Sequence, residues 1–329
     1  MTPSAEDLQR NISGTPAPTE VVNGPARSRP CFTAQLDIRG PYSLAEVAMM
    51  AFGHRDDRTF DGVLRLAFCV EGDYERQVGV EVRQHGQRLE LRVVGLPGAN
   101  GFDGAAEDQI KAQVARVLSV DHDGAAFAAL CRADPGLATA HAVAPGFRPA
   151  SFYSPYEAAL WSIISARRAR AQGITLRARI GEQHGAVFEL AGVRTVAVPT
   201  PLQLLALEAV PGLPDDRVPR LHAIARAAQQ GLLSATRLLA LDPDVAQQEL
   251  QRLPGIGPFY SSLILVRSCG ATDLLPVHEG QGREAIRQLY GWDRDLSDAE
   301  FEAFAERWRP YRTWVAVLAR AMSERLPAP

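Results

Sequence analysis

One short segment, Leu253-Pro254-Gly255-Ile256-Gly257-Pro258, combines the residue types that suit an anion-binding turn. Gly255 and Gly257 carry no Cβ, so the backbone N–H groups around Ile256 can approach a ligand closely. Pro258 suits the first position of a helix, and the amides at a helix N-terminus attract phosphate. The segment predicts a helix-hairpin-helix turn that grips a nucleic-acid backbone without reading bases. An ordinary turn between two helices has the same composition and stays the alternative.

A single acid, Glu279, follows this segment by about twenty residues, directly ahead of a helix predicted to begin near Gly280. The helix dipole favours the ionised form of a carboxyl group in that position. A carboxylate held beside a sugar C1′ atom stabilises an oxocarbenium-like transition state and orients a water molecule. Glu279 is therefore predicted to be the catalytic carboxylate of N-glycosidic bond hydrolysis. A plain helix-start carboxylate is the alternative.

Basic residues are concentrated in one stretch that has no acid. Between residues 165 and 179 the sequence has five arginines, namely Arg167, Arg168, Arg170, Arg177 and Arg179. The net charge of the whole chain is −3, which is unusual for a nucleic-acid binder, so a DNA-binding surface would have to be local. Arg167 and Arg168 are predicted to contact DNA. A solvated helix face is the alternative explanation of the basic stretch.

The composition is that of an ordinary globular protein. The 329 residues suggest about two domains, and 46% of them are hydrophobic, which is enough to build large cores. No run of about 18 apolar residues and no secretory signal is present, so we expect neither a membrane span nor export. The four cysteines lie far apart, which excludes a local zinc or iron–sulfur motif and fits a reducing cytoplasm.

The elements that must position these residues divide the chain into three parts. Residues 1–30 are rich in Pro, Ser and Gly and predict a disordered tail. Residues 31–117 predict a small α+β lobe with an antiparallel sheet, because four segments alternate apolar and polar residues or are mostly apolar (32–38, 62–70, 77–82 and 88–94) and a short helix is indicated at 43–52. Residues 118–329 predict an all-α body. The predicted fold class is thus α+β with several domains.

From about residue 103 onward the sequence is predicted to be almost entirely helical. Helices are predicted at 104–118, 123–132, 155–169, 173–182, 201–209, 215–230, 234–239, 243–252, 258–269, 280–290, 298–307 and 309–325, with Pro and Gly residues between them. Trp308, Tyr311 and Trp314 recur every three residues, which is more typical of a packed core stripe than of a platform for bases. His278, beside Glu279, is more simply explained as an incidental loop residue than as a proton shuttle.

Several short motifs, in this order and spacing, resemble the helix-hairpin-helix DNA glycosylases of the 3-methyladenine glycosylase II (AlkA) type. The resemblance covers roughly residues 119–326. The motifs are 145–148 (PGFR), 156–164 (YEAALWSII), 198–201 (VPTP), 212–214 (GLP), 220–226 (RLHAIAR), 253–259 (LPGIGPF), 273–276 (DLLP) with Arg283, and 308–312 (WRPYR).

The resemblance implies an enzyme of base-excision repair that flips damaged, chiefly alkylated, bases out of double-stranded DNA and hydrolyses them off. It implies a monomer that needs no cofactor beyond a structural monovalent cation at the hairpin, and no membrane partner. Trp161, Phe259, Leu263 and Arg320 are expected near the base pocket. Relatives that also cut the strand have a nucleophilic lysine where this chain has Phe259, and its only lysine is Lys111, so lyase activity is not expected.

The sequence departs from the family pattern at the positions that matter most for catalysis. Glu279 stands where the family has aspartate, and a shift on the order of 1 Å can cost about 100-fold in rate. Ala166, followed by Arg167, stands where the family has a glutamine in the segment that wedges the duplex. Leu263 and Arg320 replace pocket aromatic residues, and an arginine would repel a cationic alkylated base. A DNA-binding homologue with little or no catalytic activity is therefore the alternative function.

Overall fold

A computed structural model of the chain describes residues 29–50, 60–96, 102–323 and 325. The N-terminal part is a four-stranded antiparallel sheet with the strand order β1-β4-β3-β2. Its elements are β1 (Arg29–Asp37), α1 (Leu44–Met50), β2 (Leu64–Val70), β3 (Asp73–His85) and β4 (Arg88–Gly95). The sheet and the short helix agree with the sequence prediction. The predicted disordered tail lies outside the described residues except for Arg29 and Pro30, which begin β1.

The rest of the described chain is mainly helical, and the mixed α+β layout is confirmed. The helices are α2 (Gly104–Val117), α3 (Gly124–Ala133), α4 (Pro135–Ala142), α5 (Pro155–Ser165), α6 (Arg170–His184), α7 (Pro201–Leu205), α8 (Val218–Gln229), α9 (Ala235–Leu239), α10 (Pro243–Gln251), α11 (Pro258–Ser268), α12 (Gly280–Leu289), α13 (Asp298–Ala305) and α14 (Arg312–Met322). The sequence prediction missed α4, which begins after the capping residue Asp134.

The prediction of an all-α body is wrong in one place, because a β-hairpin interrupts the helices. Its strands are β5 (Ala186–Leu190) and β6 (Val193–Ala197), joined by a two-residue turn. Both turn residues have positive φ, 45° at Ala191 and 77° at Gly192, which matches the twist of a tight hairpin. The hairpin packs on the sheet, where a Cβ on Gly79 would lie 2.9 Å from the fully buried ring of Phe188.

Three larger cores hold the molecule together. One lies between the sheet and helices α1 and α2, and a second surrounds α5, α8 and α11. The third lies between α3, α4, α12 and α14, and Trp308 and Trp314 are buried in it at 0% and 2% exposure. The prediction of a core role for these two tryptophans is confirmed. Tyr311 packs against Trp314 at a ring-centroid distance of 5.4 Å and is only partly buried.

Arg148 is fully buried and ties the N-terminal lobe to the body without any carboxylate partner. Its guanidinium donates to the carbonyl oxygens of Ser119 and His122 at 2.9 Å each and of Pro41 at 3.1 and 3.2 Å. Burial lowers its pKa. The charge is tolerated because backbone carbonyl dipoles surround it, and removal of the side chain would leave those acceptors without donors.

We predict that Arg148→Met lowers the free energy of unfolding by about 3 kcal/mol or more, since several buried acceptors lose their partner together. Arg148→Lys should recover only part of the loss, because an ammonium cannot reach all of these carbonyls. Urea denaturation followed by circular dichroism measures the effect. Arg132→Met, at an exposed position of α3, is the matched control and should change the stability by less than about 0.5 kcal/mol. Equal effects of the two Met variants would contradict the assignment.

Candidate active site

The glycine-rich segment forms the predicted turn between α10 and α11. Gly255 has a φ of +92°, a backbone conformation that favours glycine, and the Ile256 N–H donates to the Leu253 carbonyl at 3.0 Å. A Cβ on Gly255 would lie 2.7 Å from Ile163 Cδ1, so the turn is packed closely against α5. Ile256 points into the protein and is 4% exposed. One apolar side chain therefore anchors the turn from within.

The outer side of the turn is open. A Cβ on Gly257 would have no neighbouring atom within 4 Å. Gly257 is the N-cap of α11 in extended conformation, and no side chain hydrogen-bonds to the first turn of that helix. No side chain therefore accepts from the first-turn amides of α11, which include those of Phe259 and Tyr260, and an external acceptor can bind them. A phosphate is the natural guest at such a helix start.

A cavity of about 380 Å³ lies beside this turn, between the two helical cores, and falls within the size range of small-molecule sites, roughly 300–1,000 Å³. Its walls come from α11, from the segment that leads into α12, and from α14. The lining residues are Arg170, Phe259, Ser262, Leu263, Val266, Arg267, Pro276, His278, Glu279, Gln281, Ala316, Val317, Arg320, Ala321 and Arg325. The structure thus places Glu279, Phe259, Leu263 and Arg320 around one cavity, as the sequence analysis expected of a site.

Among the described residues, Glu279 is the only carboxylate in the lining of this cavity. It is the N-cap of α12 and is partly exposed, and its side chain makes no capping hydrogen bond to the helix. Instead the carboxylate bends over the first turn, where Oε2 would lie 2.1 Å from a Cβ on Gly282. The glycine therefore leaves the space that the Glu279 carboxylate occupies. The residue as a whole lines the cavity and is partly exposed.

Arg267 lines the same cavity and interacts electrostatically with Glu279. Its side chain extends from α11 and donates to the Ala150 carbonyl at 2.6 Å. Burial lowers the pKa of Arg267 to about 10, and the neighbouring charge of Glu279 acts in the opposite direction. The guanidinium remains charged at neutral pH, so a positive charge lines the same cavity as Glu279.

Arg320 lines the cavity from the last turn of α14. Its Nη2 donates to Gln281 Oε1 at 2.9 Å and its Nη1 donates to Ser323 Oγ at 3.3 Å. Gln281 lies two residues after Glu279, so the guanidinium is held close to the start of α12. The side chain is half-buried and lines the cavity. Where a stacking ring was expected from the family pattern, the cavity has an oriented cation.

Trp161 is not one of the residues that line this cavity. It is 7% exposed and packs inside the core formed around α5, against Phe152 at a ring-centroid distance of 6.5 Å and beside Gly173. The reason is that α5 is buried along nearly its whole length, so its large side chains face the core. Phe259 differs in this respect, because 49% of its surface is exposed at the mouth of the cavity.

Arg167 is presented at the tip of a tight turn rather than along a helix. The predicted helix 155–169 ends at Ser165, and the Arg168 N–H donates to the Ser165 carbonyl at 3.0 Å. Arg167 has a φ of 58° and is exposed, as in the second central position of a type II turn. The Arg168 guanidinium donates to the carbonyls of Ile164 at 3.1 Å and Gly212 at 2.8 Å, so it braces the turn.

The remaining arginines of the basic stretch do not form one surface. Arg177 points inward and pairs with Glu157 at 2.8 Å, where the two side chains are 11% and 1% exposed. Arg179 is exposed on α6, and Arg170 lines the cavity. Arg177 is therefore not part of a solvated helix face. The arginines of the basic stretch instead have separate positions, in the core, at the turn and in the cavity wall.

Asp273 and Arg283, which both belong to the matched motifs, do not pair with each other. Asp273 accepts from Arg312 Nε at 2.8 Å and from Arg309 Nη1 at 2.5 Å. Arg283 instead pairs with Asp298 and donates to the Val277 carbonyl at 3.2 Å. Both sets hold the segment between α11 and α12 in place, so they fix Glu279 indirectly. His278 is exposed, and its Nδ1 lies 3.8 Å from an Asp298 oxygen.

The sequence analysis missed several residues of the cavity. Arg170, Arg267, Gln281 and Arg325 line it, and Arg325 Nη1 pairs with Glu46 of α1 at 2.6 Å. No local motif marks them, because they come from four different segments. The one feature of the sequence that could have indicated them is the presence of arginines in the otherwise apolar helices α11 and α14. Among the described residues, no group of three or more His, Cys, Asp or Glu side chains could hold a metal ion.

Comparison with known proteins gives a consistent result. No family model matches the chain. It is 27% identical over 178 residues to DNA-3-methyladenine glycosylase 2 of Escherichia coli (strain K12), which covers 53% of this chain and 59% of that protein. It is 26% identical over 282 residues to a probable bifunctional transcriptional activator/DNA repair enzyme AlkA of Mycobacterium tuberculosis, covering 76% of this chain and 54% of that protein. The chain thus spans between half and three-fifths of these relatives.

Solved structures show the same fold. A 3-methyladenine DNA glycosylase from Archaeoglobus fulgidus superposes with a TM-score of 0.68 at 17% identity, over 88% of this chain and 98% of that one. An 8-oxoguanine glycosylase/lyase of Clostridium acetobutylicum, bound to double-stranded DNA, gives 0.59 at 19% identity, over 86% and 92%. This chain is related to the helix-hairpin-helix DNA glycosylases of the AlkA type. The resemblance inferred from its motifs is confirmed. None of the described helices is long and apolar enough to cross a membrane.

The two hairpin glycines give a matched pair for a test. Gly257→Ala adds a methyl group only to the open side, so it should leave the stability unchanged within about 0.5 kcal/mol and weaken duplex DNA binding about tenfold. Gly255→Ala should instead destabilise the protein, because of the positive φ and the contact with Ile163. Fluorescence anisotropy with a labelled duplex and urea denaturation separate the two effects. Unchanged DNA affinity of Gly257→Ala would show that the turn does not meet the backbone.

Proposed function

We propose that the protein is a DNA N-glycosylase that extrudes a damaged base from double-stranded DNA and hydrolyses the bond between the base and the deoxyribose. The observation that carries this proposal is that Glu279 lies in the wall of one cavity, next to the helix that starts at the hairpin turn. A carboxylate, a base-sized cavity and a phosphate grip are the three parts that the reaction needs. Relatedness to the AlkA-type glycosylases supports the same function.

The parts act on successive features of the nucleotide. The amides at the start of α11 hold a backbone phosphate, and the exposed Arg167 at its turn fills the gap that the extruded nucleotide leaves in the stack. Phe259 and Leu263 supply the apolar wall of the cavity for the base. Extrusion costs a few kcal/mol and is cheapest where pairing is already weak. A damaged or mispaired base is therefore the one that reaches the cavity.

Hydrolysis then needs a negative charge and a water molecule. As the bond from C1′ to the base nitrogen breaks, its electron pair leaves with the base and C1′ gains oxocarbenium character. The Glu279 carboxylate stabilises this positive charge and accepts a proton from the water whose oxygen bonds to C1′. That proton passes to the released base, so the carboxylate is regenerated. No cofactor enters these steps.

The same residues argue against cleavage of the DNA strand. A lyase of this family would use an amine, and the only lysine of the chain, Lys111, lies on α2, where it pairs with Asp108 at 2.5 Å. We expect a monofunctional enzyme that acts as a monomer. The hairpin turn offers backbone carbonyl oxygens, the ligands that hard cations take, so a structural monovalent cation there stays a prediction.

Substitution of the acid tests the proposal directly. Glu279→Gln should reduce base release by about 100-fold or more, since the amide cannot balance the charge at C1′. Glu279→Asp should retain activity. Single-turnover release from a panel of duplexes with alkylated, deaminated or oxidised bases measures both, and binding to an abasic-analogue duplex checks that the variants still bind DNA. Equal release by wild type and Glu279→Gln would refute the catalytic role of Glu279. Binding without release from any duplex would leave only a DNA-binding role.

Gly282 gives a second and finer test of where the carboxylate works. Gly282→Ala puts a methyl group where Glu279 Oε2 lies and should lower base release between about 10-fold and 100-fold by displacing the carboxylate. Gly280→Ala, in the same helical turn but with open space around its Cβ, should have little effect. In the Glu279→Asp background the shorter side chain does not reach Gly282, so Gly282→Ala should cost less there. Identical losses in the two backgrounds would refute this geometry.

A further inference from the structure

The segment that leads from α7 into α8, residues 212–220, connects the two turns that the proposed function brings to DNA. At one end, Arg168 donates to the Gly212 carbonyl at 2.8 Å, directly beside the turn that presents Arg167. Within the segment, Arg217 donates to a carbonyl of α5 at 2.7 Å. The segment is therefore fixed next to the Arg167 turn, on a path that a duplex bound to both turns would follow.

Arg220 lies at the other end of this segment, against the hairpin turn. A Cβ on Gly255 would lie 3.1 Å from Cδ of Arg220 and 3.5 Å from its Nη1. The side chain starts in the first turn of α8 and is 37% exposed. Its guanidinium is thus beside the turn whose amides are proposed to hold a backbone phosphate, and solvent reaches it. A cation in this position suits the neighbouring phosphate of the same strand.

An acid holds this guanidinium. Arg220 Nη2 donates to Asp216 Oδ2 at 2.7 Å, and the two residues are four positions apart with the acid nearer the N-terminus, the better order for such a pair. The Asp216 side chain is 60% exposed. Exposed ion pairs of this kind are weak, because water screens them and two side chains must be ordered. The guanidinium can therefore leave Asp216 for a stronger acceptor.

We propose that Arg220 binds a DNA phosphate next to the one held by the hairpin amides, and that it exchanges Asp216 for this phosphate when the duplex binds. The inference rests on the proposed function, since it requires DNA to lie on the hairpin turn. A phosphate is a strong acceptor for the arginine fork, and its neutralisation releases counterions from the duplex. The carboxylate of Asp216 offers no such release, so the exchange favours the complex.

The exchange keeps the affinity for DNA below the value that the phosphate contacts alone would give. The guanidinium must first leave Asp216, and the freed carboxylate then lies close to the DNA backbone. Both effects oppose binding. A protein that searches for rare damaged bases meets a large excess of undamaged DNA, and a weaker hold on the backbone speeds its release. Asp216 therefore limits the residence of the protein on undamaged DNA.

Asp215 provides an internal control for the charge of Asp216. It precedes Asp216 in the same short 3₁₀ turn and is also exposed, but the partner of Arg220 is Asp216. Removal of either acid weakens the general repulsion between this segment and DNA. Only the removal of Asp216 also frees the guanidinium. The difference between the two Asn variants therefore measures the exchange itself.

The test measures the affinity for a labelled, undamaged duplex by fluorescence anisotropy over a range of salt concentrations. Arg220→Met should make the dependence of log Kd on log salt less steep by about 0.9, the value for one phosphate contact, whereas Arg220→Lys keeps the charge and should keep the slope. Asp216→Asn should tighten binding about threefold more than Asp215→Asn does. In the Arg220→Met background the two Asn variants should have equal effects.

The same duplex with an abasic analogue gives a second readout. Because a phosphate contact does not depend on the base, Arg220→Met should weaken binding of both duplexes by the same factor. Urea denaturation should give the same midpoint for all variants, because the ion pair is exposed and Met keeps the apolar part of the arginine side chain.

Arg226→Met, at an exposed position six residues later on α8, is the matched control and should leave the slope unchanged. An unchanged slope in Arg220→Met, or equal effects of the two Asn variants when Arg220 is present, would overturn the exchange. Base release by the wild type reports separately on the proposed function. Release with an unchanged slope would refute the exchange alone, and the expected slopes without any release would refute the glycosylase function alone. Absence of duplex binding by the wild type would overturn both.

Discussion

The buried ion pair between Glu157 and Arg177 is the interaction on which the arrangement of the site depends. The carboxylate also accepts from the Cys69 N–H of β2 at 3.2 Å, so it joins the sheet to α5 and α6 at one point. Burial raises the pKa of Glu157, and only the arginine and the amide make a charge acceptable there. Because α5 carries Ile163 against the hairpin turn and ends at the Arg167 turn, this pair fixes both turns relative to the sheet.

The sequence was most informative where local rules decide the structure. The alternating strands, the start of α11 at Pro258 and the start of α12 after Glu279 follow from patterns within a few residues, and the structure has them. The β5–β6 hairpin was missed even though its residues alternate, because a run of helices on either side dominated the interpretation. The family resemblance predicted Trp161 near the pocket, but α5 is buried along nearly its whole length and Trp161 packs in the core.

The charge of the cavity could not be predicted from the sequence, because it arises from residues that are far apart along the chain. Arg170, Arg267 and Arg320 belong to three helices, and no spacing relates them. Their common position depends on how the two helical cores pack, which is a property of the folded molecule. The same holds for Gly282. Its role, to leave space for the Glu279 carboxylate, follows only from the conformation of that side chain in the folded protein. The sequence predicted individual functional residues, but not which distant side chains the fold brings next to them.

The hairpin of β5 and β6 changes how the N-terminal sheet relates to the rest of the chain. Ala67 and Val94 on its second face are fully buried under Phe188 and Leu190 of the hairpin. Strands covered on both sides have near-continuous apolar sequences, as β2 does. Without the hairpin, the N-terminal sheet would expose this apolar face to water and would tend to associate with other copies of itself. The N-terminal sheet therefore depends on a hairpin that lies about a hundred residues later in the sequence. Any shortened version of the protein must keep the two together.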